Sequence, residues 1–315
     1  MNYLFKILKG ILIGIAAIIP GFSGGTIACI AGCYDEIIEA ISGIRIHFKK
    51  SIVTLIPYVI GILIGACSLF IVSWGLKYYP LITICLFAGL LLGSLPSFCQ
   101  NIKGQINKKS VLIAVISGLL FLGLILLNLF MGEGNYFELN SSYFWVYILL
   151  FFAGALGSAA LVVPGISGSM MLMIIGFYNP IMDTIKGFIE SACGLIGIEI
   201  SMDYYSSNVA NLVGNGYILP AMFMLICFAL GIIIGFYLIS KLMKYLLSNH
   251  RSTTYHVILA FILVSLVGIY AVPEYYNNLD PLQIVLAIIF LIIGGVISFF
   301  ISKVAEKKAN NNIGE

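Results

Sequence analysis

An all-α polytopic membrane protein built from two inverted repeats is the predicted fold class of this 315-residue chain. Three observations lead to it. The residues are 61% hydrophobic and 9% charged, with mean hydropathy +1.10, whereas a soluble domain carries about 25% charged residues. A helix-breaking motif occurs twice, as Pro20-Gly21-Phe22-Ser23-Gly24-Gly25-Thr26 and Pro164-Gly165-Ile166-Ser167-Gly168-Ser169, 144 residues apart. The lysines and arginines fall on one side of the topology that the two breaks imply.

The elements follow in order. The first repeat, 1-131, opens with a re-entrant hairpin at about 4-36, followed by crossings at about 52–76, 81–99 and 111–131. The second repeat, 132-315, opens with a hairpin at about 143-180. An outer amphipathic stretch, 181-217, precedes its crossings at about 218–240, 255–271 and 282–302. A crossing needs about 20 apolar residues. The two broken segments are too long for one crossing and too short for two. Each is therefore expected to run about ten residues down, turn, and run about ten back, with each arm rising about 15 Å. The apolar start after Lys6 and Lys9 is read as retained structure rather than a signal peptide, because its break at Pro20 has a partner at Pro164. Gly10, Ala16, Gly32 and Tyr34 align with Gly154, Ala160, Gly176 and Tyr178, and Gly61 and Gly65 resemble Gly231 and Gly235.

Charge fixes the expected topology. With the N-terminus inside and both broken segments re-entrant, fourteen of the 16 Lys and Arg residues lie inside, and only Lys77 and Lys186 outside. Glu133, Glu138, Asp183, Glu190, Glu199, Asp203, Glu274 and Asp280 fall outside. Trp74, Tyr78, Tyr79, Tyr143, Trp145, Tyr275 and Tyr276 fall near the outer interface. Both termini are then cytoplasmic. A hairpin plus three crossings inverts the second repeat, so the tips enter from opposite faces and meet near the midplane.

Non-helical backbone at membrane depth survives only inside protein or beside a wet cavity. Pro20, Gly21, Pro164 and Gly165 form the hairpin breaks. Gly24, Gly25 and Gly168 permit close approach. New half-helices begin near Thr26 and Met170, and their first N–H groups favour an anion. Ser23, Thr26, Ser167 and Ser169 supply hydroxyls that can cap those groups or bind a ligand oxygen. Together these residues make a candidate anion cradle. The competing reading is plain helix packing by small residues, which does not require a duplicated tip.

Other charges are few. Asp35, Glu36 and Glu39 follow the first break, and Asp183 is the counterpart of Glu39. They are candidates for coupling or gating, against a solvated interfacial face. Arg45 is a candidate cytoplasmic phosphate contact, against a purely topogenic role. The seven scattered cysteines suggest no disulfide framework. No metal site, cofactor or nucleic-acid partner is indicated.

Around Ile19–Tyr34 with Asp35-Glu36, and again around Val163–Tyr178, the chain resembles a bacterial polyprenyl-phosphate (undecaprenyl-phosphate) transporter family, long known only as a membrane domain of unknown function. The resemblance implies a flippase in the cytoplasmic membrane that returns undecaprenyl phosphate to the inner leaflet for lipid-carrier recycling in cell-envelope synthesis. Members often carry a polar residue three positions before the first motif proline. Here that position is Ala17, which removes one candidate coupling group.

Inward movement of a phosphate head bearing about −1.5 to −2 charges opposes an inside-negative potential by roughly 3.5–4.6 kcal/mol at 100 mV. Co-transported protons or sodium would offset it. Nothing resembles a nucleotide-binding P-loop. Two alternatives stand beside this reading: a secondary transporter of a small anion, and an undecaprenyl-diphosphate phosphatase. Such phosphatases look similar in using paired inverted motifs, but usually place an Arg beside the second Ser, where this chain has Gly168. A homo-oligomer is compatible with all three.

Overall fold

The computed structural model describes residues 3–18, 23–102, 106–131, 139, 143–198, 218–270, 276 and 280–313. Among these the protein is helical throughout and contains no strand. The helices are α1 (Tyr3–Ile18), α2 (Gly24–Ile30), α3 (Tyr34–Ser42), α4 (Phe48–Ala66), α5 (Leu69–Tyr78), α6 (Pro80–Ile102) and α7 (Lys108–Met131). They continue with α8 (Phe144–Val162), α9 (Gly168–Ile174), α10 (Tyr178–Leu195), α11 (Ile218–Asn249), α12 (Arg251–Tyr270) and α13 (Pro281–Ile313). Seven are long and apolar enough to cross a membrane: α4, α6, α7, α8, α11, α12 and α13. Their outer faces expose large apolar side chains such as Leu63, Leu120, Ile233 and Ile292, as a lipid-facing surface requires. The protein is a multi-pass membrane protein.

Local sequence explains the helix ends. Pro80 and Pro281 open α6 and α13, where a missing N–H costs nothing. Asp280 caps α13 by accepting from Leu282 N at 3.4 Å. The single crossing expected at 52–76 is instead two helices. Cys67 and Ser68 turn the chain, and Ser68 Oγ donates to Gly65 O at 2.6 Å. The ten-residue α5 that follows carries Trp74, whose ring lies 5.7 Å from Tyr78 and 5.5 Å from Tyr79. All three rings are exposed, as an interfacial aromatic cluster would be.

Where about ten helical residues were expected before each break, α1 has 16 and α8 has 19, about 24 and 28 Å, and each is followed by a seven-residue helix. Unbroken apolar sequence lets the first arm run on, while a glycine stops the second early.

Contacts divide the chain into two compact units, 1–123 with 161–167 and 239–315, and 124–160 with 168–238. In the first, α1 crosses α4 at a glycine seam. A methyl added to Gly10 would overlap Tyr58 O, one on Gly61 would overlap Ile7 O, and one on Gly65 would overlap Ile11 O. Such contact is possible only without side chains. α6 crosses α13 in the same manner through Gly89, Gly93 and Gly294. In the second unit, α8 crosses α11 through Gly154, which meets Phe228 O, Gly231, which meets Phe151 O, and Gly235, which meets Ala155. Its core is Val146, Leu150 and Ala153 of α8, Phe177 and Ile181 at α10, and Met224 of α11.

Candidate functional site

The two motifs build the same local structure. α2 and α9 are each seven residues, beginning at Gly24 and Gly168. Each ends at a left-handed glycine, Gly32 (φ 61°) and Gly176 (φ 75°). The residue after each glycine bonds back across the turn, Cys33 N to Ala28 O and Phe177 N to Leu172 O, both at 2.9 Å. α3 and α10 then start at Tyr34 and Tyr178. Every one of these pairs is separated by 144 residues.

Pro20 and Gly21 lie outside the described residues. Ser23, Gly24, Gly25 and Thr26 are buried, as are Pro164, Gly165, Ser167 and Gly168, while Ser169 is half-buried. Ser23 stands in extended backbone (φ −111°, ψ 127°) just before α2 but makes no side-chain cap bond. Its hydroxyl instead donates to Val163 O at 3.5 Å. Thr26 Oγ1 accepts from Gly165 N at 2.7 Å, and Tyr34 OH donates to Val162 O at 2.8 Å.

The start of α2 thus faces the end of α8 and its turn, a segment of the first unit. Carbonyl 162, left over at the end of α8, takes the Tyr34 hydroxyl, while carbonyl 163 takes Ile166 N at 3.4 Å and the Ser23 hydroxyl. A methyl on Gly25 would stand 3.1 Å from Leu161 O. Gly165 has φ +91°, and a methyl there would stand 2.6 Å from Phe261 Cβ, so only glycine suits the turn. Two of the four hydroxyls expected to cap helices or face a ligand, those of Ser23 and Thr26, join the two motifs in this conformation.

The acidic candidates separate by environment. Glu36 forms an ion pair with Lys6 and accepts from Tyr58 OH at 2.7 Å. Burial acts to raise its carboxyl, but the bonds from Lys6 and Tyr58 outweigh burial and hold it below its ordinary value. Lys6 also stands over the Tyr58 ring, 5.7 Å from its centroid, and Lys9 Nζ lies 3.4 Å from Gly32 O. Asp35 and Arg251 face one another at 3.9 Å, both exposed, with Arg251 over the Tyr255 ring at 5.6 Å. Asp35 and Glu36 occupy the first turn of α3, which suits the helix dipole. Glu39 and Arg45 are exposed. Asp183 is 1% exposed, with Lys186 at 4.0 Å, so the solvated-face reading fails for it.

In the sequence Lys6 stands out only as a charge before the first apolar run, and Tyr58 as one residue of an apolar segment. The signal that could have found them is the aligned second copy, which has Leu150 and Phe228 there.

A family model described as undecaprenyl phosphate translocase-like matches residues 13–281, which include both motifs. The chain is 30% identical over 308 residues to a polyprenyl-phosphate transporter of Staphylococcus aureus, covering 96% of this chain and 97% of that protein. It is 33% identical over 204 residues to a polyprenyl-phosphate transporter of Vibrio cholerae serotype O1, covering 60% of this chain and 62% of that protein. No solved structure matches. The family and relative names describe transporters and not enzymes. With both duplicated motifs inside the matched range, the chain belongs to the undecaprenyl phosphate translocase-like family.

Proposed function

We propose that this protein carries polyprenyl phosphate, undecaprenyl phosphate above all, from the outer to the inner leaflet of the bacterial cytoplasmic membrane, returning the carrier lipid for envelope synthesis. The two motif-bearing copies enter the membrane as inverted re-entrant hairpins. The phosphate head passes between their tips while the isoprenoid tail stays in lipid. An ion gradient drives the step against the membrane potential.

The observation that carries this reading is the hydrogen-bonded junction of the two motifs, Thr26 Oγ1 with Gly165 N and Ser23 Oγ with Val163 O. It is a closed junction whose donors are exchangeable. A phosphate oxygen that took the Gly165 N–H would free the Thr26 hydroxyl to donate to the same phosphate. Ser167 continues the cradle from the second motif. Separation of the junction and its re-formation would then be the two ends of an alternating-access cycle.

The test is head-group translocation in proteoliposomes. Replacing Ser23 and Ser167 together by alanine should slow it by at least about tenfold, equivalent to about 1.4 kcal/mol. Wild-type rates in that double variant would remove the tips from the substrate path. Collapse of proton and sodium gradients in turn should identify the coupling ion by the loss of net inward movement.

A further inference from the structure

We propose that Lys6, with Lys9 beside it, forms a second binding site for a phosphate monoester, and that Glu36 fills this site as an internal anion when the ligand is absent. The proposal rests on the reading that the ligand carries a phosphate.

The comparison of the two copies carries it. In the first copy Lys6, Lys9, Glu36 and Tyr58 form one polar cluster where α1, α3 and α4 meet. At the 144-residue offset, Lys6, Lys9 and Glu36 correspond to Leu150, Ala153 and Pro180. Tyr58 corresponds to Phe228, because Gly10 meets Tyr58 O as Gly154 meets Phe228 O. Leu150 and Ala153 belong to the buried apolar core, with Phe228 packed against it. The same helix crossing therefore forms with an apolar filling. Replacing a buried ion pair by well-packed apolar groups is often neutral or stabilising, so the crossing itself does not call for the charges of the first copy.

The geometry suits exchange with an incoming anion. The Lys6 side chain is 11% exposed and that of Glu36 is 37% exposed, so the carboxylate is the more accessible partner of the pair. Lys9 stands three residues on, near the same helix face, and its bond to Gly32 O is long at 3.4 Å. One phosphate that displaced Glu36 could meet both ammonium groups. Lysine binds phosphate as a point charge and needs no fixed fork. The site is separate from the tip: the twelve-residue step from Lys6 to Ile18 at the end of α1 is about 18 Å.

The experiment is calorimetric titration of the purified full chain with inorganic phosphate and with farnesyl phosphate. Glu36→Gln should tighten phosphate binding about five- to tenfold, because the internal competitor is lost. Lys6→Met should weaken it at least tenfold, and Lys6→Arg should retain most of it. A Lys6→Leu, Lys9→Ala, Glu36→Pro, Tyr58→Phe quadruple variant installs the residues of the second copy. It should keep the wild-type melting temperature and lose the site.

Tighter binding of farnesyl phosphate than of inorganic phosphate identifies a lipid head group, and equal binding identifies free phosphate as sufficient. Unchanged affinity in both Glu36→Gln and Lys6→Met overturns the proposal. If that occurs while the Ser23 and Ser167 double variant loses transport, the transport reading stands without this site. If wild type moves no polyprenyl phosphate yet Glu36→Gln gains phosphate affinity, the site stands and the transport reading falls.

Discussion

The region α1–α4 and the region α8–α11 share a glycine seam, a seven-residue helix and a left-handed glycine stop, yet fill the space between them with opposite chemistry. Lys6, Glu36 and Tyr58 occupy the first. Leu150, Pro180 and Phe228 occupy the second. What the two share is backbone geometry, which both need in order to fold. What differs is not needed for that geometry, and so it points to function. Thr26 and Met170 show the same contrast: Thr26 carries the hydroxyl that accepts the Gly165 N–H, and its counterpart carries a thioether. Glu39 and Asp183 reverse it, with the exposed acid in the first copy and the buried one in the second.

The largest expected effect tests the shared part. Leucine at Gly61 or Gly231 forces a side chain into a facing carbonyl and should cost at least about 3 kcal/mol, read as a lost or strongly lowered thermal transition in detergent. Tolerance at one site and collapse at the other would break the equivalence of the seams.

Thr26→Val comes next. It leaves the buried Gly165 N–H without its acceptor and should cost about 1–3 kcal/mol. Met170→Leu conserves volume and should cost less than about 1.5 kcal/mol. Equal losses in a melting comparison would show that the junction hydroxyl contributes nothing beyond packing.

A third prediction concerns pH. Glu36 has a folded pKa below its unfolded value, so its contribution is fully present above the ordinary carboxylate range and is lost as pH falls through the folded value. As pH falls from about 5 to about 3, wild-type melting should therefore fall more than that of Glu36→Gln. Because Glu36 is partly exposed, screening keeps the effect modest. Parallel curves would assign the acid sensitivity elsewhere.

The smallest effect separates the two aligned acids. Asp183→Asn should lower the melting temperature, because it disturbs a buried group facing Lys186, whereas Glu39→Gln at an exposed position should change it little. A reversed order would mean that the exposed acid has a partner in function that outweighs burial.

Much of the fold was legible in the residues. Apolar run length marked the crossings, and the repeated Pro-Gly-x-Ser-Gly pattern with Gly32 and Gly176 marked two equivalent short helices. Gly61, Gly65, Gly231 and Gly235 were visible as a pair of small-residue patterns. The turn at Cys67 and Ser68 was not, because nothing in that apolar run breaks hydropathy. The lengths of α1 and α8 were not legible for the same reason: hydropathy does not say where either helix ends. Within the candidate site, Ser23, Thr26 and Gly165 were legible as motif residues, but their mutual bonds were not.

The sequence by itself determined that the chain is membrane-embedded, that its opening element is made twice, and which glycines and hydroxyls recur. These are properties of composition and spacing, carried by neighbours along the chain. Only the tertiary structure decided that Thr26 holds Gly165 across 139 residues, that Lys6 is neutralised by Glu36, and that Asp183 is buried. Each depends on which helix faces are brought together, and no local pattern encodes the partner on the other face.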